Sequence, residues 1–214
     1  MFDANISGKF WDYLCGFQPA SLCDWPGKVS AVLFFGGCNL RCPTCHNASF
    51  AWKNCVSSNI DHLEVLKRVQ KNKKWLDGLV LTGGEVTIIP GFEDLLRILS
   101  SIGLPMKIDT NGQRPDAVEL ALRQSMVKTI AVDVKGPWNK YPHLCGGLVS
   151  SSEARYRADE IFGLAQGCPE RFMFRCTRVP GLTSDDIQEV RSYLPGGFDL
   201  HIQKYQECLE NGLS

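Results

Sequence analysis

The 214-residue sequence has no surplus of either charge: 23 Lys and Arg stand against 23 Asp and Glu, a formal net charge of zero. A chain that works along phosphate backbones usually carries a basic excess, so general nucleic-acid binding is disfavoured. Long apolar runs are missing as well. The longest unbroken one, Ala31 to Phe35, falls far short of the roughly 20 residues that a membrane span needs. Near the N-terminus Asp3, Lys9 and Asp12 interrupt any apolar stretch. No export signal is therefore legible, and the expected location is cytoplasmic. Linkers and low-complexity segments are lacking too. Residues 1–214 read as a single domain, with an irregular lead-in over 1–28, a core over 29–205 and a tail over 206–214. At 44% hydrophobic and 21% charged residues, a disordered or fibrous chain is excluded.

Cysteine, by contrast, is plentiful, with ten residues. Without an export signal, and with length enough for a real core, a disulfide scaffold is not the expectation. Two uses remain: thiols that pack as small hydrophobes, and thiolates that hold metal. Cys38, Cys42 and Cys45 lie within eight residues of one another, whereas Cys15, Cys23, Cys55, Cys145, Cys168, Cys176 and Cys208 are scattered. The scattered seven read as buried thiols, with Cys145 a candidate neighbour of the site. The cluster of three is the chemical signal.

From residue 29 onward, short β-branched or apolar runs alternate with amphipathic stretches. Strands are expected over 29–35, 78–82, 106–109, 127–134, 172–179 and 198–205. Helices are expected over 61–74, with Leu63, Leu66 and Val69 on its apolar face, and over 92–101, stopped by Gly103. Further helices are expected over 115–124, opened by Pro115, over 151–165, capped by serines, and over 183–193, where Thr183 and Asp186 form a capping pattern. Six β/α units of about thirty residues imply an α/β fold with an all-parallel sheet and outer helices. A full eight-unit barrel takes about 250 residues, so the expected architecture is a partial (β/α)6 barrel, an open arc.

Such barrels place their chemistry at the C-terminal ends of the strands. There the sequence puts Gly36-Gly37-Cys38, Thr82-Gly83-Gly84-Glu85, Asp109-Thr110-Asn111-Gly112 and Asp133-Val134-Lys135. Turn preferences explain the glycines and the asparagine but not Glu85, Asp133 and Lys135. The cysteine loop reads Cys38-Asn39-Leu40-Arg41-Cys42-Pro43-Thr44-Cys45-His46-Asn47. A Cys3His zinc site would need His46, yet neighbours in sequence such as Cys45 and His46 hardly reach one tetrahedral ion without strain. Three thiolates suit a [4Fe–4S] cluster with one iron left open.

In this context Cys-x3-Cys-x2-Cys after a first strand, with Gly83-Gly84-Glu85 after the second, resembles the radical S-adenosylmethionine (SAM) superfamily. Asp24-Trp25-Pro26-Gly27, the Cys-His-Asn ending at Asn47, Asp109-Thr110-Asn111-Gly112 and Asp133-Val134-Lys135 resemble its glycyl-radical-enzyme activase group. Over nearly its full length, including Leu144-Cys145-Gly146-Gly147, the chain is similar to the activating proteins of anaerobic ribonucleoside-triphosphate reductase.

The resemblance implies that Cys38, Cys42 and Cys45 ligate a [4Fe–4S] cluster at which SAM is reductively cleaved to a 5′-deoxyadenosyl radical. Gly83, Gly84 and Glu85 would take the methionine end of SAM. Asp109, the carbonyl of Thr110 and Asp133 would hold a monovalent cation, with Asn111 and Lys135 nearby. Arg175 would face the cofactor or an incoming glycyl loop. The implied partners are a glycyl radical enzyme, anaerobic ribonucleotide reductase, and a flavodoxin or ferredoxin-type electron donor. Lys67, Arg68, Lys71, Lys73 and Lys74 read as a solvated helix end, with a docking patch for that donor as the sharper reading.

The chain departs from the family pattern at Thr44, which leaves adenine stacking there without its usual aromatic. It departs again at Val86, where proline commonly follows Gly-Gly-Glu. His46 beside Cys45 and His201 near the last strand end are further cofactor candidates, and the five tryptophans read as core or lid packing. Two alternatives stand beside the activase: a radical SAM enzyme acting on a nucleobase or cofactor precursor, and a non-catalytic zinc module.

Overall fold

The computed structural model describes residues 7–52 and 60–207; Cys55 and Cys208 lie outside them. One seven-stranded sheet runs in chain order, β1 (Leu14–Ser21), β2 (Ser30–Phe35), β3 (Gly78–Gly83), β4 (Met106–Thr110), β5 (Val127–Asp133), β6 (Phe172–Arg178) and β7 (Leu200–Lys204). β1 and β2 are antiparallel, and every later neighbouring pair is parallel. β1 and β7 are the two edges, so the sheet forms an arc left open between them. The six expected parallel strands are β2 to β7.

Helices fill the crossovers: α1 (Ala48–Ala51) and α2 (His62–Asn72), α3 (Phe92–Ser100), α4 (Pro115–Leu122), α5 (Tyr141–Leu144) and α6 (Ser151–Gly167), and α7 (Ser184–Tyr193). Their ends follow local chemistry. The Asp61 carboxylate accepts from the N–H groups of Leu63 and Glu64, Ser150 and Glu153 close a capping box on α6, and Thr183 and Asp186 close one on α7. α3 buries Phe92, Leu95, Leu96 and Leu99, each worth roughly 1.5–3 kcal/mol relative to exposure.

The strands bury both faces, as a parallel sheet under helices must. Ala31, Leu33, Phe35, Leu79, Leu81, Met106 and Ile108 belong to the large core. The alternate residues Val32 and Val80 face the other way and form a small separate cluster with Trp25. Trp25 therefore plugs the inner floor of the arc. Lys107 stands in register with Val80, on that same inner face.

Three expectations change. The lead-in is not irregular, because β1 pairs with β2 through Leu14 to Ser21. Its Gly16 and Pro19 weaken the strand signal, and an edge strand with shifted register tolerates both. In α2 the buried face is Val65, Leu66 and Val69, while Leu63 is exposed. Trp11 and Trp25 are core and Trp138 stacks on Tyr193, but Trp52 and Trp75 are exposed, with the Lys74 ammonium over the Trp75 ring.

Candidate active site

The ends of β2 and β3 are pressed together tightly enough to dictate glycine. The Gly84 N–H donates to the Phe35 carbonyl at 2.7 Å, and the Glu85 N–H donates to the Gly37 carbonyl at 2.8 Å. A Cβ on Gly84 would lie 1.9 Å from the Gly37 oxygen, and one on Gly83, whose φ is +122°, would lie 2.2 Å from the Phe35 oxygen. Asn47 donates from Nδ2 to the Gly83 carbonyl at 2.8 Å, fastening the far end of the cysteine loop to the same strand end. Gly83, Gly84 and the loop are thus one backbone unit.

Cys38, Cys42 and Cys45 all line a cavity of about 370 Å³ at this mouth, within the size range of small-molecule sites. The Leu40 N–H donates to the Cys38 sulfur at 3.3 Å, and the Cys45 N–H donates to the Cys42 carbonyl at 3.0 Å. Burial pushes the Cys38 thiol up to about 11. Cys42 is held below the usual thiol value by a hydrogen bond from Cys145, helped by the Lys135 charge. Among the described residues no three His, Cys, Asp or Glu side chains are grouped to hold one metal ion. A zinc site demands that convergence, every donor about 2–2.3 Å from one centre. A [4Fe–4S] cluster does not ask for that convergence, because each thiolate binds a separate iron.

Glu85 is 1% exposed. Its Oε2 accepts from the Asn111 N–H at 2.7 Å, and its Oε1 accepts from the hydroxyls of Thr110 and Thr87 and from the Thr87 N–H. Burial raises its pKa, and these four donors work against that rise. The carboxylate thereby ties the end of β3 to the end of β4 while still bordering the cavity. Asn111 in turn donates to Asn39 Oδ1 at 2.8 Å, which joins the β4 end to the cysteine loop.

The opposite wall is charged. Asp133 pairs with Lys135 at 3.0 Å and with Arg175 at 2.8 Å, and Arg175 reaches Asp109 at 3.3 Å. Burial opposes the charge of Asp133, but Arg175 and Lys135 outweigh it and hold its carboxyl at about 2. For Lys135 and Arg175 burial is likewise the largest influence and acts to lower the pKa. The carboxylates prevail, Asp133 for both and Asp109 for Arg175 as well, and keep both cations charged. Asp109 also pairs with Lys107, whose side chain is 1% exposed. The expected cation-binding carboxylates, Asp109 and Asp133, are therefore already matched by three fixed cations.

Of the expected residues, Cys38, Cys42, Cys45, His46, Gly83, Gly84, Glu85, Asp109, Thr110, Asn111, Asp133, Lys135 and Arg175 all border this cavity. His201 is in register with Arg175 on β7 but is exposed and outside the cavity wall; β7 is an edge, so its inner face opens to solvent. Thr44 borders the cavity, and the His46 ring lies against Tyr205 at 5.2 Å. Cys145 and Cys176 are buried, as expected, and Cys15 and Cys168 only half-buried. Cys23 is instead exposed at the cavity rim.

Sequence reasoning missed Lys107, Asn39, Asn47 and Thr87. Lys107 carries the one available signal, a lysine two residues from Asp109 inside an otherwise apolar strand, which period-2 alternation places on one face. No helix among the described residues is long and apolar enough to cross a membrane.

Comparison with known proteins agrees with this geometry. The family model of the radical SAM superfamily matches residues 32–194. A protein of Methanocaldococcus jannaschii named glycyl-radical enzyme activating enzyme is 29% identical over 180 residues, covering 82% of this chain and 72% of that protein. The pyruvate formate-lyase-activating enzyme of Clostridium pasteurianum is 36% identical over 100 residues, 44% of this chain and 41% of that one. The chain thus spans under half of that enzyme. The crystal structure of Streptococcus suis SuiB bound to S-adenosylmethionine shares the fold, with a TM-score of 0.57 and 15% identity over 84% of this chain and 42% of that chain.

Proposed function

The chain belongs to the radical SAM superfamily, and from that premise we propose that it is a glycyl-radical-enzyme activase, with anaerobic ribonucleotide reductase as the target that the sequence resemblance implies. The observation that carries the reading is the meeting of three loop thiols and the polar ends of β3 to β6 on one cavity. The relative named as an activating enzyme, matching over 82% of the chain, supports it. So does the open arc: Cys23 and Asp24, which follow β1, and Gln203 of β7 all border the cavity, so it lies across the gap between the two sheet edges. A glycine-bearing loop of a partner protein can reach it sideways.

Cys38, Cys42 and Cys45 would hold the [4Fe–4S] cluster, leaving one iron for SAM. Once bound, the cluster would supply one-electron reduction of SAM, with a flavodoxin or ferredoxin-type protein as the electron donor. The chain's own residues orient and shield. Gly83 and Gly84 allow the backbone to approach the methionine end without a side chain between. Glu85 fixes the mouths of β3 and β4 relative to each other. Lys135 and Arg175 present positive charge to a carboxylate, already desolvated and locked by Asp133. Leu40 and Leu144 supply apolar wall, which limits access of water to a reactive species.

Incubation of the cluster-loaded protein with SAM, a low-potential reductant and anaerobic ribonucleotide reductase should produce a glycyl-radical signal by electron paramagnetic resonance. Formation of 5′-deoxyadenosine with a modified nucleobase or cofactor precursor, and no protein radical with any glycyl radical enzyme, would instead establish the small-molecule reading.

A further inference from the structure

Two carboxylates and three cations share the floor of the cavity. Asp109 is paired with Lys107 and Arg175, and Asp133 with Arg175 and Lys135. The group already carries one positive charge more than its carboxylates neutralise. Lys107 differs from the other two cations because its side chain is 1% exposed and does not border the cavity. It stands on the inner face of β4, in register with Val80 on one side and Thr129 on the other, two residues below Asp109. A buried ammonium is retained only where a carboxylate meets it, and Asp109 is the partner it has.

A monovalent metal ion between Asp109 and Asp133 would add a second uncompensated charge beside three fixed ones in a poorly solvated floor. The donors present do not fit it.

We propose that Lys107 is the built-in counter-cation of this site. Its ammonium does from below what a bound Na+ or K+ would do from above, balancing Asp109 so that Arg175 and Lys135 stay directed at the cavity. SAM then binds without a monovalent metal ion. The SAM half of the inference rests on the functional reading above; the cation half does not.

The test uses the cluster-loaded protein in choline chloride at constant ionic strength. Sodium-23 magnetic resonance reads cation binding directly, and equilibrium dialysis reads SAM affinity. The unaltered protein should show no sodium binding that Asp109→Asn abolishes, and its SAM affinity should change by less than about threefold when K+ or Na+ replaces choline. Sodium binding that depends on Asp109, or a threefold or greater tightening of SAM by either ion, would overturn the proposal.

Lys107→Met, which keeps the length of the side chain without its charge, should gain Asp109-dependent sodium binding. It should lose about tenfold in SAM affinity in choline, regained with sodium. A folded Lys107→Met protein with unchanged SAM affinity and no sodium binding would refute the role of Lys107, whereas rescue by sodium is not something a packing defect would show. If Lys107→Met does not fold, the unaltered protein still decides the question. Absence of SAM binding in every salt would fault the functional reading, with the sodium arm standing on its own.

Discussion

Cys38→Ser, Cys42→Ser and Cys45→Ser should each strip iron and acid-labile sulfide from the anaerobically reconstituted protein and lower SAM cleavage by about 10³-fold or more, because a hydroxyl is not ionised at neutral pH and cannot replace a thiolate on iron. The fold should survive. All three residues are half-buried on a loop, where exchange of sulfur for oxygen costs about 1 kcal/mol or less. Far-UV circular dichroism of the metal-free variants should match the unaltered chain. Cys176→Ser should keep the cluster, since that thiol is buried in β6 and borders no part of the cavity. Cys145→Ser is the sharper control. Its side chain is a neighbour that helps hold the Cys42 pKa down, and a serine hydroxyl can play the same part, so retention of the cluster is expected. A folded Cys38→Ser protein that assembles a normal cluster would remove Cys38 from the ligand set.

Gly84→Ala should be the most damaging substitution of a residue that carries no functional group. The added Cβ would sit 1.9 Å from the Gly37 carbonyl oxygen and 3.2 Å from the Ala51 Cα. Both obstacles are backbone, so no side chain can swing aside. Either the Glu85 N–H bond to Gly37 breaks or the ends of β2 and β3 part, and each displaces the cysteine loop from the Glu85 corner. A cost of about 2–4 kcal/mol is expected, a fall in Tm of roughly 5–15 °C for a chain of this size, with SAM binding lost even below the new Tm. Gly163 in α6 makes the comparison, since a Cβ there meets nothing within 4 Å. Gly163→Ala should be neutral or stabilising by up to about 1 kcal/mol. Equal effects of the two substitutions would mean that the close approach at Gly84 does not matter.

The parallel strands and the cavity were legible because two signals reinforce each other. Apolar runs such as Ala31 to Phe35 mark strands buried on both faces, and polar residues directly after them mark the functional end of the sheet. Caps were legible for the same local reason: Thr183 and Asp186, three residues apart, need only each other. Pairing across the fold was not. Glu85 reads as a free carboxylate for a ligand, and its four donors come from Thr87, Thr110 and Asn111, two of them at the end of β4, about 25 residues away. Lys107 had its partner Asp109 only two residues away on the same strand, but period-2 alternation does not say which face of β4 is buried, and the burial of its ammonium comes from the packed arc. β1 escaped notice because Gly16 and Pro19 disguise a strand that its neighbour β2 stabilises. On the edge strand β7, His201 stands in register with Arg175 but outside the cavity wall, a placement that depends on how far the arc curls and not on strand position. Leu63 was misassigned by counting in threes, where the true stripe of α2 runs through Val65, Leu66 and Val69.

The central claim is that this thiol-lined cavity holds an iron–sulfur cluster whose open iron takes SAM. Electron paramagnetic resonance of the reduced, anaerobically purified protein, recorded with and without SAM alongside metal and sulfide analysis, tests it most directly. The account predicts iron and sulfide in equal amounts and a cluster spectrum that shifts when SAM is added. Zinc without sulfide, or a cluster spectrum indifferent to SAM, would contradict it.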